Sequence, residues 1–112
     1  MSQLTTHILD TTQGKPAADV GVILYQFNNG QWQKITGAVT NADGRIPDLL
    51  EKGTKMELGT YKLRFETQSY FARQSVQTFY PFVEIVFEVR TEGHYHVPLL
   101  LNPFGYSTYR GS

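Results

Sequence analysis

The sequence predicts an all-β protein, a two-sheet antiparallel β-sandwich of about eight strands with one short helix. Three observations carry this. Short runs of β-branched, aromatic and aliphatic residues alternate with polar ones at a period of two, as strands with one buried face do. Ten glycines and five prolines recur between those runs as punctuation. The length, 112 residues, is that of one domain, so the strands belong to a single sandwich over 1–112.

In chain order, Leu4 to Asp10 is a strand with Leu4, Thr6 and Ile8 on one face and Thr5, His7 and Leu9 on the other. Gln13-Gly14-Lys15-Pro16 is a turn. Val20 to Phe27 is almost continuously apolar, which predicts a central strand with both faces covered. Asn28-Asn29-Gly30 signals a hairpin, because Asn-Gly tolerates the positive φ of a type I′ turn. Trp32 to Thr40 is the return strand and Asn41-Ala42-Asp43-Gly44 the next turn. Pro47 to Gly59 is charged and poorly patterned, hence a loop with at most a short strand. Tyr61, Leu63 and Phe65 alternate inward over Tyr61 to Glu66. Gln68 to Val76 lacks Gly and Pro and breaks the alternation, so the helix falls there. Val83, Ile85, Phe87 and Val89 alternate again, followed by strands over His94 to Leu101 and Tyr106 to Arg110.

One strand is apolar on a face that should be wet. In His94 to Leu101, Tyr95, Val97, Leu99 and Leu101 form the core face, yet the opposite face carries His94, His96, Pro98 and Leu100. Two apolar faces in so short a chain imply a cover, and another subunit is the expected one. Pro98 cannot donate to a ladder and so predicts an edge or a bulge. His7 and His96 are thereby placed on outward faces inside an oligomer interface.

Composition narrows the function. Aromatic residues at 13% and a formal net charge of zero exclude a disordered chain, and the lack of a basic excess argues against nucleic-acid binding. No apolar run approaches the ~18 residues of a membrane helix. Met1 to His7 has neither a basic nor an apolar signal region, which favours the cytoplasm; a mature periplasmic protein with an added Met reads the same. There is no cysteine, which excludes disulfides, thiolate catalysis and Cys-ligated zinc. No phosphate loop, dinucleotide fingerprint, Gly-x-Ser-x-Gly or Ser-x-x-Lys is present, so neither a nucleotide cofactor nor a serine nucleophile is expected.

The three histidines remain, with His94 and His96 two apart on one face. They are structural, or supply zinc ligands through His-x-His plus a distant His, or act as neutral acid/base groups near their ordinary pKa of ~6.5. An adjacent Arg keeps an imidazole neutral, and Arg45 and Arg110 are the candidates, unless each is a solvated surface cation. The tail Tyr106 to Ser112 would by default fray.

The blocks Thr6-His7-Ile8-Leu9-Asp10 with Gly14-Lys15-Pro16-Ala17, Asn41-Ala42-Asp43-Gly44-Arg45, and His94-Tyr95-His96-Val97-Pro98-Leu99-Leu100-Leu101 through Pro103 to Tyr109-Arg110-Gly111-Ser112 resemble the transthyretin-like family. Within it they resemble the branch of 5-hydroxyisourate hydrolases, whose signature is the closing Tyr-Arg-Gly-Ser. The resemblance spans the whole chain. It implies a homotetramer of eight-stranded sandwiches in which two pairs of subunits enclose a channel, with sites at the dimer–dimer interface. It also implies His7, Arg45 and His96 as catalytic residues and Tyr109, Arg110, Gly111 and Ser112 as substrate-binding, with His94 in support. The implied reaction is metal-independent hydrolysis of a cyclic amide in urate degradation, needing no cofactor. The rival reading is a carrier of a small aromatic ligand in the same channel, whose hormone-binding members lack the Tyr-Arg-Gly-Ser ending and the equivalents of His7, Arg45 and His96.

Overall fold

The computed structural model describes residues 2–112; Met1, with which the expected domain and the signal-peptide reading begin, lies outside the described residues. Eight strands and one helix follow in order: β1 (Leu4–Asp10), β2 (Lys15–Pro16), β3 (Gly21–Asn28), β4 (Gln31–Val39), β5 (Gly59–Phe65), α1 (Thr67–Ala72), β6 (Val83–Val89), β7 (Tyr95–Asn102) and β8 (Gly105–Thr108). They form two four-stranded sheets, ordered β2-β1-β7-β8 and β4-β3-β5-β6. All pairings are antiparallel except one: β1 and β7 run parallel, with Thr5 beside His96 and His7 beside Pro98. The exception has a topological cause. The chain crosses from one sheet to the other between β6 and β7, and such a crossover can bring a strand in parallel to its neighbour.

The alternation read from sequence is the alternation that is buried. Leu4, Ile8, Leu63, Phe65, Val83, Val89 and Leu99 meet between the sheets with almost no exposure. Each contributes roughly 1.5–3 kcal/mol by burial. The 47–59 segment is a loop as expected, but Leu49, Leu50 and Met56 turn into the core. β3 is central in its sheet, yet only Val22 and Leu24 on one face are fully buried, against the expectation of two covered faces. Its other face is sheltered by side chains of the same sheet. The Lys62 ammonium lies 4.9 Å from the Tyr25 ring centroid and 4.5 Å from that of Trp32.

Three local differences from expectation have clear causes. Lys15–Pro16, expected as turn, also forms a two-residue strand against Leu9 and Asp10. The helix spans Thr67–Ala72 instead of reaching Val76. It stops in a Schellman motif: Val76 N–H donates to Phe71 O, Ser75 N–H donates to Ala72 O, and Ser75 takes φ 57°. The stop residue is a serine, so no glycine announces it. Pro98 lies in the interior of β7, which is not an edge strand. It is tolerated because β8 ends at Thr108, opposite Leu99. The carbonyls of His96 and Pro98 are taken up on that side by Gly111 N–H and the Thr108 hydroxyl, so the missing N–H of Pro98 falls where the ladder has stopped. The hairpin is as expected, with φ 52° at Asn29 and 76° at Gly30.

Candidate active site

Two parallel strands, one turn and the tail build the site. β1 and β7 carry Thr5, His7 and His96 on the face turned away from the core, all half-buried. The turn after β4 brings Arg45 to them. Asn41 holds this turn by accepting from the N–H groups of Asp43 and Arg45 at 2.9 and 3.1 Å. Ile8 N–H then donates to Gly44 O at 2.9 Å, and Arg45 bridges His7 on the free side of β1. Gly44 is needed twice over. Its φ is +71°, and a Cβ there would stand 2.5 Å from the Ile8 carbonyl oxygen. Two residues on, Ile46 is buried, which ties the turn to the core.

The tail, expected to fray, is tied back to β7. Gly111 N–H donates to His96 O at 2.8 Å, in an isolated bridge beyond the end of β8. The Arg110 guanidinium lies 4.4 Å from the Tyr95 ring centroid. Gly111 again permits a close approach, since a Cβ there would stand 2.5 Å from Cδ2 of the His96 ring.

A cavity of about 550 Å³ opens on this face, bordered by Thr5, Arg45, Asp48, His94, His96 and Ser112. It therefore gathers Arg45, His96 and Ser112 of the residues singled out from sequence. His7 stands just beyond its wall, one register step from Thr6 and paired to Arg45. Tyr109 and Arg110 turn the other way within the protomer, toward a second hollow formed with β6 and Tyr95. The residue that sequence reasoning missed is Thr5. Its hydroxyl lies 2.8 Å from Nδ1 of His96 and 3.0 Å from Nε2 of His94. The alternation placed Thr5 on the face of His7, but only the parallel register sets it beside His96.

Both half-buried imidazoles are biased toward the neutral form. Burial lowers the pKa of His96 from its usual value, and the positive charge of Arg45 lowers it further, followed by His94 and His7. Burial likewise lowers His7, again with Arg45 as the next cause, while the Asp43 backbone and carboxylate act against it. The Arg45 side chain forms no ion pair among the described residues, although Asp43 and Asp48 border the same cavity. Imidazoles biased toward neutrality beside a cation without a close ion pair are a combination able to activate water against a carbonyl whose oxygen gains charge. Among the described residues no group of three or more His, Asp or Glu side chains is gathered as a metal ion requires, and no helix is long and apolar enough to cross a membrane.

Over nearly its full length the chain is similar to known proteins. A 5-hydroxyisourate hydrolase of Halalkalibacterium halodurans is 48% identical over 117 aligned positions, covering 98% of each chain. The solved 5-hydroxyisourate hydrolase of Klebsiella pneumoniae superposes with a TM-score of 0.86 at 38% identity, covering 97% of this chain and 98% of that one. Sea bream transthyretin, solved in complex with thyroxine, superposes with a TM-score of 0.92 at 34% identity, covering 98% of this chain and 95% of that one. The sandwich is common to both kinds of protein, so the side chains on its face must separate them. The family model described as the HIUase/Transthyretin family matches residues 4–111, and the chain belongs to that family.

Proposed function

We propose that the protein hydrolyses 5-hydroxyisourate, opening the cyclic amide between C6 and N1 to give 2-oxo-4-hydroxy-4-carboxy-5-ureidoimidazoline. The observation that carries this reading is the convergence of His96, Arg45 and Ser112 on one cavity with His7 beside it. The chain is also close to half identical, over nearly its full length, to relatives named for that reaction.

In this mechanism His96 accepts the proton of the attacking water, because its lowered pKa keeps a lone pair available near neutral pH. The water oxygen bonds to C6, the C6–N1 bond breaks, and the proton passes to N1. Arg45 lies against the carbonyl oxygen and stabilises its developing charge, a contribution of about 3–4 kcal/mol for a well-placed donor. His7, bridged to Arg45, holds that side of the site and is the second group able to carry the proton. Ser112 hydrogen-bonds the ring heteroatoms. Gly111 lets the tail lie on His96, while Arg110, over Tyr95, anchors it, with Tyr109 beside it. No metal and no covalent intermediate take part.

The working form is a homotetramer with its sites at the dimer–dimer interface. Two observations support it. Leu100 and His96 are only half-covered on the outer face of β7, and Val86, Phe104, Tyr106 and Tyr109 are exposed nearby in sequence to the β6 and β8 edges.

The test is a coupled ultraviolet assay. Urate oxidase generates 5-hydroxyisourate in the cuvette, and its decay is followed with and without the protein, with light scattering reporting the assembly. A large acceleration supports the hydrolase. No acceleration from a confirmed tetramer overturns it and leaves ligand carriage in the channel as the reading to test.

A further inference from the structure

The hydroxyl of Thr5 lies between two imidazoles, 2.8 Å from Nδ1 of His96 and 3.0 Å from Nε2 of His94. The two rings are nearly parallel, with centroids 6.4 Å apart. A hydroxyl has one proton and two acceptor lone pairs. It can donate to only one of the two nitrogens, so a fully satisfied chain needs the other nitrogen to donate to it. Two directions meet that condition. In one, His96 Nδ1–H donates to Thr5 and Thr5 donates to His94 Nε2, which leaves the lone pair of His96 on Nε2. In the other, every proton is reversed and His96 Nε2 carries a hydrogen.

Two features select the first direction. Nε2 of His96 has no hydrogen-bond partner among the described residues, and the cavity around that ring contains the unpaired Arg45 guanidinium. A cation favours a lone pair facing it over an N–H.

We propose that Thr5 is a positioning residue: the chain from His96 through the Thr5 hydroxyl to His94 fixes the His96 ring and its tautomer, with the proton on Nδ1 and the lone pair of Nε2 free in the cavity. This rests on the reading of His96 as the proton acceptor. Thr5 acts through His96, although it also borders the cavity. When Nε2 takes the water's proton, the Nδ1–H bond to Thr5 strengthens, and His94 keeps the hydroxyl proton pointed away from it. The pairing of β1 with β7 makes this possible, because parallel register sets Thr5 directly beside His96.

The test compares Thr5→Val, which keeps the shape and the strand preference but removes the hydroxyl, with Thr5→Ser, which keeps the hydroxyl. Thr5→Val is expected to lower kcat by the ~10–100-fold that lost hydrogen-bond partners of metal-bound imidazoles cost, with KM little changed. Thr5→Ser is expected to restore most of it. Nitrogen NMR of the intact protein, which has only three histidines, reads the tautomer directly. A protonated Nδ1 and a pyridine-type Nε2 on His96 support the proposal. An Nε2-protonated ring, or Thr5→Val with wild-type kcat while His96→Ala is inactive, overturns it. An active His96→Ala instead removes the reading on which it rests.

Discussion

Gly111→Ala tests whether the tail must lie on His96 for the site to work. A Cβ at Gly111 would stand 2.5 Å from Cδ2, 3.2 Å from Cγ and 3.4 Å from Cβ of His96. Ordinary contact begins near 3.4 Å, so roughly 1 Å must be recovered by moving the ring or the tail. The ring is pinned by Thr5 at Nδ1 and the strand by its pairing with β1, so the tail should yield, losing the 2.8 Å bond from Gly111 N–H to His96 O. A displacement of about 1 Å at a reacting centre costs on the order of 10²-fold in rate. We expect kcat/KM in the coupled 5-hydroxyisourate assay to fall by about that factor, equivalent to ~2.7 kcal/mol of transition-state stabilisation. The thermal midpoint should change little, because Gly111 lies outside the core and the strands. Wild-type kcat/KM for Gly111→Ala would refute the argument that the tail completes the site.

The remaining predictions use the same assay. His96→Ala and His7→Ala should each lower turnover by at least the ~10²-fold typical of lost acid–base catalysis while leaving the assembly seen by light scattering unchanged; near-normal rates in both would end the histidine mechanism. Removing Tyr109 to Ser112 should abolish activity with the circular-dichroism spectrum retained, since these residues lie beyond β8 and meet β7 through the Gly111 bridge and the Arg110–Tyr95 contact. Arg45→Gln should move the acid limb of residual kcat/KM to higher pH. Arg45 lowers the pKa of both His7 and His96, so its loss raises them and protonates the base sooner on acidification; an unmoved limb would show that the charge is not felt. Activity should survive prolonged dialysis against a chelator, and a loss restored by zinc would establish a metal site.

Much of the fold was legible because burial alternates along the strands and the polar positions respect it. Tyr61, Leu63 and Phe65 are buried as their spacing requires, and Asn29-Gly30 makes the turn its positive φ values allow. What escaped depends on partners that no local pattern encodes. Lys15–Pro16 becomes a strand only because Leu9 and Asp10 lie alongside. β3 reads as doubly covered because Ile23 and Tyr25 are apolar, although Lys62 and neighbouring side chains of its own sheet shelter them. The helix stop is hidden because Ser75 adopts the left-handed conformation that glycine usually marks.

The site shows the same division more sharply. His7, Arg45, His96 and Ser112 were found as residue types in recognisable blocks, but their functional relation is set by backbone approach. Gly44 brings a turn within hydrogen-bonding distance of β1, and Gly111 brings the tail onto an imidazole. Both are places where a single methyl group has no room. The parallel β1–β7 register then decides which side chains become neighbours, making Thr5 the partner of His96 and leaving His7 to Arg45. The sandwich itself is shared with sea bream transthyretin, so the hydrolase reading rests on these side chains and not on the architecture. On the proposed reading the difference lies in two glycines that let a turn and the tail approach β1 and β7, and in one hydroxyl set beside His96.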